Sequence, residues 1–175
     1  MRWTVPEQFH LTLAFSGSVP ERAYDDLVDR LERAARKRVP IEARIAGGGA
    51  FPNPSRARVL VAGIETSLET GAEELRRMAT GTRAALAKAG AEVGGQRFRP
   101  HLTLARMGRP VEASNWVRLL DAYAGPTWRV DEIALVASHL GEGPRNRPRH
   151  EVVETFSLYP AGSGPARPDA PRRGR

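Results

Sequence analysis

The chain contains no cysteine. That excludes a disulfide framework, thiolate metal ligands and a thiol nucleophile, and it suits a reducing compartment. Long hydrophobic runs are missing too. Stretches such as "VLVAGI" and "IALVA" fall far short of the roughly 20 residues a membrane-spanning helix needs. The opening "MRWTVPEQFH" lacks the apolar core of a signal peptide. These absences lead us to expect a cytoplasmic protein with no membrane partner. Histidine is scarce: His10, His101, His139 and His150 are the only four, and none is spaced H-x-H or H-x-x-x-H. With thiols also absent, no metal site is expected. Lysine is rare as well, with only Lys37 and Lys88 among 27 basic residues.

What remains is a chain of 175 residues, 41% apolar, with a net charge of +7. That length and apolar content suffice to bury one core. The excess of arginine fits an anionic partner, RNA being the natural candidate. It also fits arginine-rich coding bias, and composition alone leaves both readings open. Four of the arginines sit in the tail "ARPDAPRRGR". From Pro160 onward apolar residues are too few to order the chain, so residues 160–175 read as a disordered basic tail and 1–159 as the folded domain.

Residue patterning supplies the elements. "FHLTLAF" (9–15) alternates as a strand does. Ser18 and Glu21 form a capping-box pattern ahead of a helix over 20–38, and Thr66 and Glu69 repeat it ahead of a second helix that Gly90 ends. "IEARIA" and "RARVLVAGI" read as strands on either side of a loop, "GGGAFPNPS". Then come a strand "FRPHLTLAR", a helix over 112–124 with Ala113, Val117 and Leu120 inward, and strands "TWRVDEIALVAS" and "EVVETFSLY". Residues 141–149, "GEGPRNRPR", read as a basic loop.

The order is β-α-β-β-α followed by β-α-β-β, so the second half re-runs the first. The same five residues, HLTLA, recur 91 positions apart. Internal duplication explains both facts. Alternation along a strand sets His10 and Thr12 on one face and His101 and Thr103 on the equivalent face of the second copy. The leucines between them anchor each strand. Two imidazoles and two hydroxyls converging on one place suit displacement at phosphorus. One histidine acts as base and the other as acid near neutral pH, while hydroxyls donate to the nonbridging oxygens without adding charge.

Paired H-x-T motifs in a duplicated chain resemble the two-histidine phosphoesterase superfamily. The context resembles the RNA 2′,3′-cyclic phosphodiesterases of the 2′-5′ RNA ligase family more closely. The matching stretches are "RWTVPEQFHLTLAFSGSVPE", "GGGAFPNPSRARVLVAGIE", "QRFRPHLTLARM" and "VDEIALVASHLG". The resemblance implies an α+β fold, duplicated and bilobed, with two antiparallel sheets flanking a central cleft and helices outside. It implies hydrolysis of an RNA terminal 2′,3′-cyclic phosphate to a 2′-phosphate with no cofactor or metal, by a protein expected to be monomeric. It casts His101 as the base, His10 as the acid, and Thr12 and Thr103 as phosphate holders. Phe15 and Arg106, five residues after each histidine, would sandwich the terminal base. Alternation sets those two on the face opposite the histidines, so each strand must end or bulge near Ala14 and Ala105. Family members begin with a further strand and helix, and Met1 stands where that segment would end, so an upstream start is expected. They also carry a tyrosine before the last strand, where this chain has "RNRPR" and His150. Two rivals stay open: the same fold acting on another cyclic phosphate or a 2′-5′ linkage, and an RNA-binding module without turnover.

Overall fold

The computed structural model describes residues 1–95, 97–144 and 147–159; the expected tail over 160–175 lies outside the described residues. The elements are β1 (Arg2–Trp3), α1 (Tyr24–Ala35), β2 (Ile41–Phe51), β3 (Ala57–Thr66), α2 (Glu69–Lys88), β4 (His101–Val111), α3 (Ser114–Asp121), β5 (Ala124–Val130), β6 (Glu132–Gly143) and β7 (Arg147–Ser157). Five strands form one sheet in the order β1-β4-β3-β2-β5, and β6 and β7 form a separate two-stranded ribbon. Every pairing is antiparallel. The fold is thus mixed α/β with two antiparallel sheets.

One face of the large sheet is apolar and takes the helices. Leu60, Ala62 and Ile64 of β3 share it by alternation, paired with Ala50, Gly48 and Ile45 of β2. At one end α3 packs there, joining Ala113, Val117 and Leu120 to Ala50, Leu60, Ala105 and Met107. At the other, α1 and α2 contribute Leu27, Leu31, Leu75, Met78 and Leu86 to a second cluster with Ile41, Ile64, Ile133 and Phe156. The inward positions expected for the 112–124 helix are therefore the ones used. Gly90 has φ +82°, the left-handed value that lets the chain leave α2.

Several expectations need correction. Residues 47–49 are not a loop; β2 runs through them. Gly48 is needed because α3 lies against the strand there: a Cβ on it would sit 2.7 Å from both Leu120 Cβ and the Val117 carbonyl oxygen. Neither capping box forms. A 3₁₀ turn over Glu21–Ala23 precedes α1, and the Thr66 hydroxyl donates to the Leu68 carbonyl instead of closing α2. "TWRVDEIALVAS" is two strands, not one. The chain breaks at Asp131 and passes from the large sheet, where β5 pairs β2, to the ribbon, where β6 pairs β7. The basic loop is mostly hairpin, since β6 extends to Gly143 and β7 starts at Arg147. "FHLTLAF" is extended but not a regular strand; it meets its neighbours through isolated bridges, Leu11 to Leu102 and Ser16 to Val93.

Candidate active site

The face of the large sheet opposite the helices carries the sequence-predicted residues of the second H-x-T motif. Val59, Val61 and Gly63 of β3 alternate onto this face, and their partners on β4 are Arg106, Thr103 and His101. Strict alternation along β4 would separate Thr103 from Arg106. The β3–β4 register shifts between Thr103 and Ala105, which absorbs Leu104 as an extra residue. Ala105 then turns into the core, fully buried beside Leu60, and Arg106 returns to the histidine face, exposed.

The first copy follows the same path. Leu11 bridges Leu102 and packs with the helices, so His10 and Thr12 point to the opposite side, that of His101 and Thr103. Counting the antiparallel register from that bridge sets His10 across from Thr103 and Thr12 across from His101. Leu13 and Ala14 both pack into the core, which breaks alternation at the same Leu–Ala step, and Phe15 emerges 69% exposed. His10, Thr12, His101, Thr103 and Arg106 thus share one side of the sheet, and Phe15 is exposed at the end of the first segment.

Each imidazole is held in the same way. His10 Nδ1 donates to the Gln8 carbonyl oxygen at 2.8 Å, and His101 Nδ1 donates to the Arg99 carbonyl oxygen at 2.7 Å. A carbonyl only accepts, so the proton on each neutral ring belongs to Nδ1. Nε2 is left as the nitrogen that can take up or release a proton. A second ring abuts each imidazole edge-on. Phe51 of β2 lies 5.1 Å from His101 between centroids at 73°, and His150 of β7 lies 5.1 Å from His10 at 86°. The Arg99 guanidinium caps the Phe51 ring at 6.0 Å.

Sequence reasoning missed this outer layer. Gln8, Phe51 and Arg99 lie within the stretches that carry the resemblance, but nothing in their spacing gives them a role, and His150 lies outside those stretches; only strand register brings them in. His150 is half-buried, and burial, aided by the charge on His10, holds its imidazole below the ordinary histidine range. Arg2 stands opposite Arg106 across the β1–β4 ladder, both exposed. Like charges so paired repel one another, and an anion between them would relieve that repulsion. His139 lies apart from this site, in a network with Glu142, Arg149 and Glu151 on the ribbon.

The model of the 2′-5′ RNA ligase superfamily matches residues 6–142, which include both H-x-T copies. The chain belongs to this superfamily. It is 37% identical over 159 residues to the RNA 2′,3′-cyclic phosphodiesterase of Thermus thermophilus, covering 87% of this chain and 73% of that one. It is 36% identical over 162 residues to the enzyme of that name from Aeropyrum pernix, covering 90% and 88%. Among solved structures of similar fold, TT0787 of Thermus thermophilus superposes with a TM-score of 0.71 at 34% identity, over 91% of this chain and 83% of that one. The E. coli LigT complex with 3′-AMP gives 0.68 at 23% identity, over 90% and 80%, a likeness of fold. The matched range includes both anchored histidines.

Proposed function

We propose that this protein hydrolyses the 2′,3′-cyclic phosphate at an RNA end to a 2′-phosphate, using His10 and His101 as an acid–base pair across the cleft of a duplicated, bilobed fold. The observation that carries the reading is the matched anchoring: two imidazoles from two copies of one motif, each with Nδ1 tied to the carbonyl two residues before it. In the proposed step, His101 Nε2 takes a proton from water as the water oxygen attacks phosphorus. The bond from phosphorus to O3′ breaks, and protonated His10 delivers its Nε2 proton to that oxygen. Thr12 and Thr103 donate to the nonbridging oxygens. Phe15 and Arg106 grip the terminal base, a contact that tolerates any base because each has a π face. The names of the Thermus and Aeropyrum relatives support the substrate class.

The test is incubation of the purified protein with an RNA ending in a 2′,3′-cyclic phosphate, in EDTA, followed by mapping of the phosphate left behind. A 2′-phosphate formed with chelator present is the expected product. A 3′-phosphate, or turnover only when metal is restored, would overturn this assignment. Mononucleotide cyclic phosphates and 2′-5′-linked RNA run in parallel separate the rival substrates. Salt-sensitive binding without product would favour the non-catalytic RNA module.

A further inference from the structure

The two imidazoles have matching anchors except in one respect: the ring against His101 is a phenyl, and the ring against His10 is another imidazole. We propose that His150 is a positioning residue for His10, fixing the plane of its ring so that Nε2 points at the leaving oxygen. This inference rests on the acid–base reading above.

One hydrogen bond does not orient an imidazole. The bond from Nδ1 to the Gln8 carbonyl fixes which nitrogen is inward, yet the ring can still turn about that line. The edge-on contact at 86° with His150 supplies the second constraint. His10 is otherwise exposed and sits on an irregular segment, so little else confines it. His101 is half-buried on a regular strand and has Phe51 for the same purpose.

Gln8 ties the arrangement together. Its carbonyl accepts from His10, and its side-chain amide donates to the Pro148 carbonyl at 2.6 Å, two residues before His150 on β7. One residue thereby fixes the spacing between the acid and its buttress. The partners of β7 decide which way His150 faces. Ser138 is opposite it on β6, while Arg149 and Glu151 project to the other side of the ribbon with His139. The titratable group facing His150 is thus His10. Partial burial lowers the proton affinity of the buttress and so favours its neutral form.

The experiment compares wild type, His150→Ala and His150→Phe on RNA ending in a 2′,3′-cyclic phosphate. Ring NMR of His10 and thermal melting are recorded on the same samples. Loss of orientation costs rate rather than binding. His150→Ala should therefore lower kcat by about 10–100-fold with KM within about twofold. His150→Phe, which restores a ring, should recover most of that loss. The Nδ1–H signal of His10 should be sharper in wild type and in His150→Phe than in His150→Ala. An unchanged kcat in His150→Ala, or equal damage from both variants, would overturn the proposal. If the wild-type protein does not turn over this RNA, it is the functional reading that fails. The positioning role is then decided by NMR, where identical His10 signals in all three proteins would refute it. Should His150→Ala fail to fold, His150→Phe and Gln8→Ala carry the comparison: a Gln8→Ala protein with intact kcat and an intact His10 signal would count against the proposal.

Discussion

In the proposed mechanism, replacing His10 or His101 by alanine removes one proton-transfer group and leaves the other in position. A general acid or base is worth about 10²–10⁴ in rate, or about 2.7–5.4 kcal/mol at about 1.36 kcal/mol per decade. If the two histidines served separate events, the double variant would lose the product of both factors, about 10⁴–10⁸. The geometry argues for one event. The Leu11–Leu102 bridge sets the two motifs on neighbouring antiparallel segments, with all four polar side chains on one side. The double variant should then fall within about tenfold of the worse single one, as expected of groups that act as a unit. The cost to folding should stay small, because each alanine forfeits one ring contact worth about 0.5–1.5 kcal/mol and one short-range hydrogen bond. Single-turnover rates on RNA with a cyclic phosphate end, with thermal melting as the folding control, measure both quantities. Multiplicative losses, or a single variant of full activity, would refute the reasoning.

Further outcomes follow from the same geometry. Phe15→Ala and Arg106→Ala should each raise KM for an oligonucleotide by the worth of a stacked base, about 1–3 kcal/mol; an unaltered KM in steady-state assays of both would remove them from the binding site. Gly48→Ala drives a methyl into α3 and should destabilise the fold by about 1–3 kcal/mol, read from the urea midpoint; an unmoved midpoint would mean α3 is not seated on β2. His150 has a depressed value in the folded state, so the unfolded chain binds the proton more readily. Its contribution to stability is present above the unfolded value of about 6.5 and is lost as pH falls below it. The pH slope of unfolding free energy in that window should flatten in His150→Phe; equal slopes in the two proteins would contradict this. Glu151, held low by hydrogen bonds from Arg149 and His139, supports the ribbon above the ordinary carboxylate range and releases it in acid. Protection factors along β6 and β7, corrected for the intrinsic pH dependence of exchange, should fall as pH drops through that range, and Glu151→Gln should weaken that fall.

The helices and most strands were legible in the sequence because they follow apolar periodicity, which burial enforces. Leu27 and Leu31, or Val117 and Leu120, pack where spacing set them. The H-x-T pairs were legible for the same reason, since a leucine between two polar residues fixes the side each one takes. Even the need for a break near Ala14 and Ala105 followed from the requirement that Phe15 and Arg106 reach the histidines. Composition misled at Gly47–Gly49, where the missing side chain of Gly48 makes room for a helix and does not loosen a loop. It misled again at the capping patterns, where Ser and Thr hydroxyls have no need of the helix ends. Gln8, Phe51, Arg99 and His150 were beyond reach because their roles exist only once distant strands have come into register. The match to the superfamily spans both segments that the H-x-T reading had already singled out.

The skipped residue at Leu104 changes what a strand can offer a ligand. A perfectly regular strand displays only odd or only even residues to one partner, so groups an odd number of positions apart can never meet the same molecule. With one residue taken out of the count, the His101 imidazole and a guanidinium five positions downstream are displayed together. On the proposed reading, reaction chemistry and nucleobase grip can then share a single short peptide.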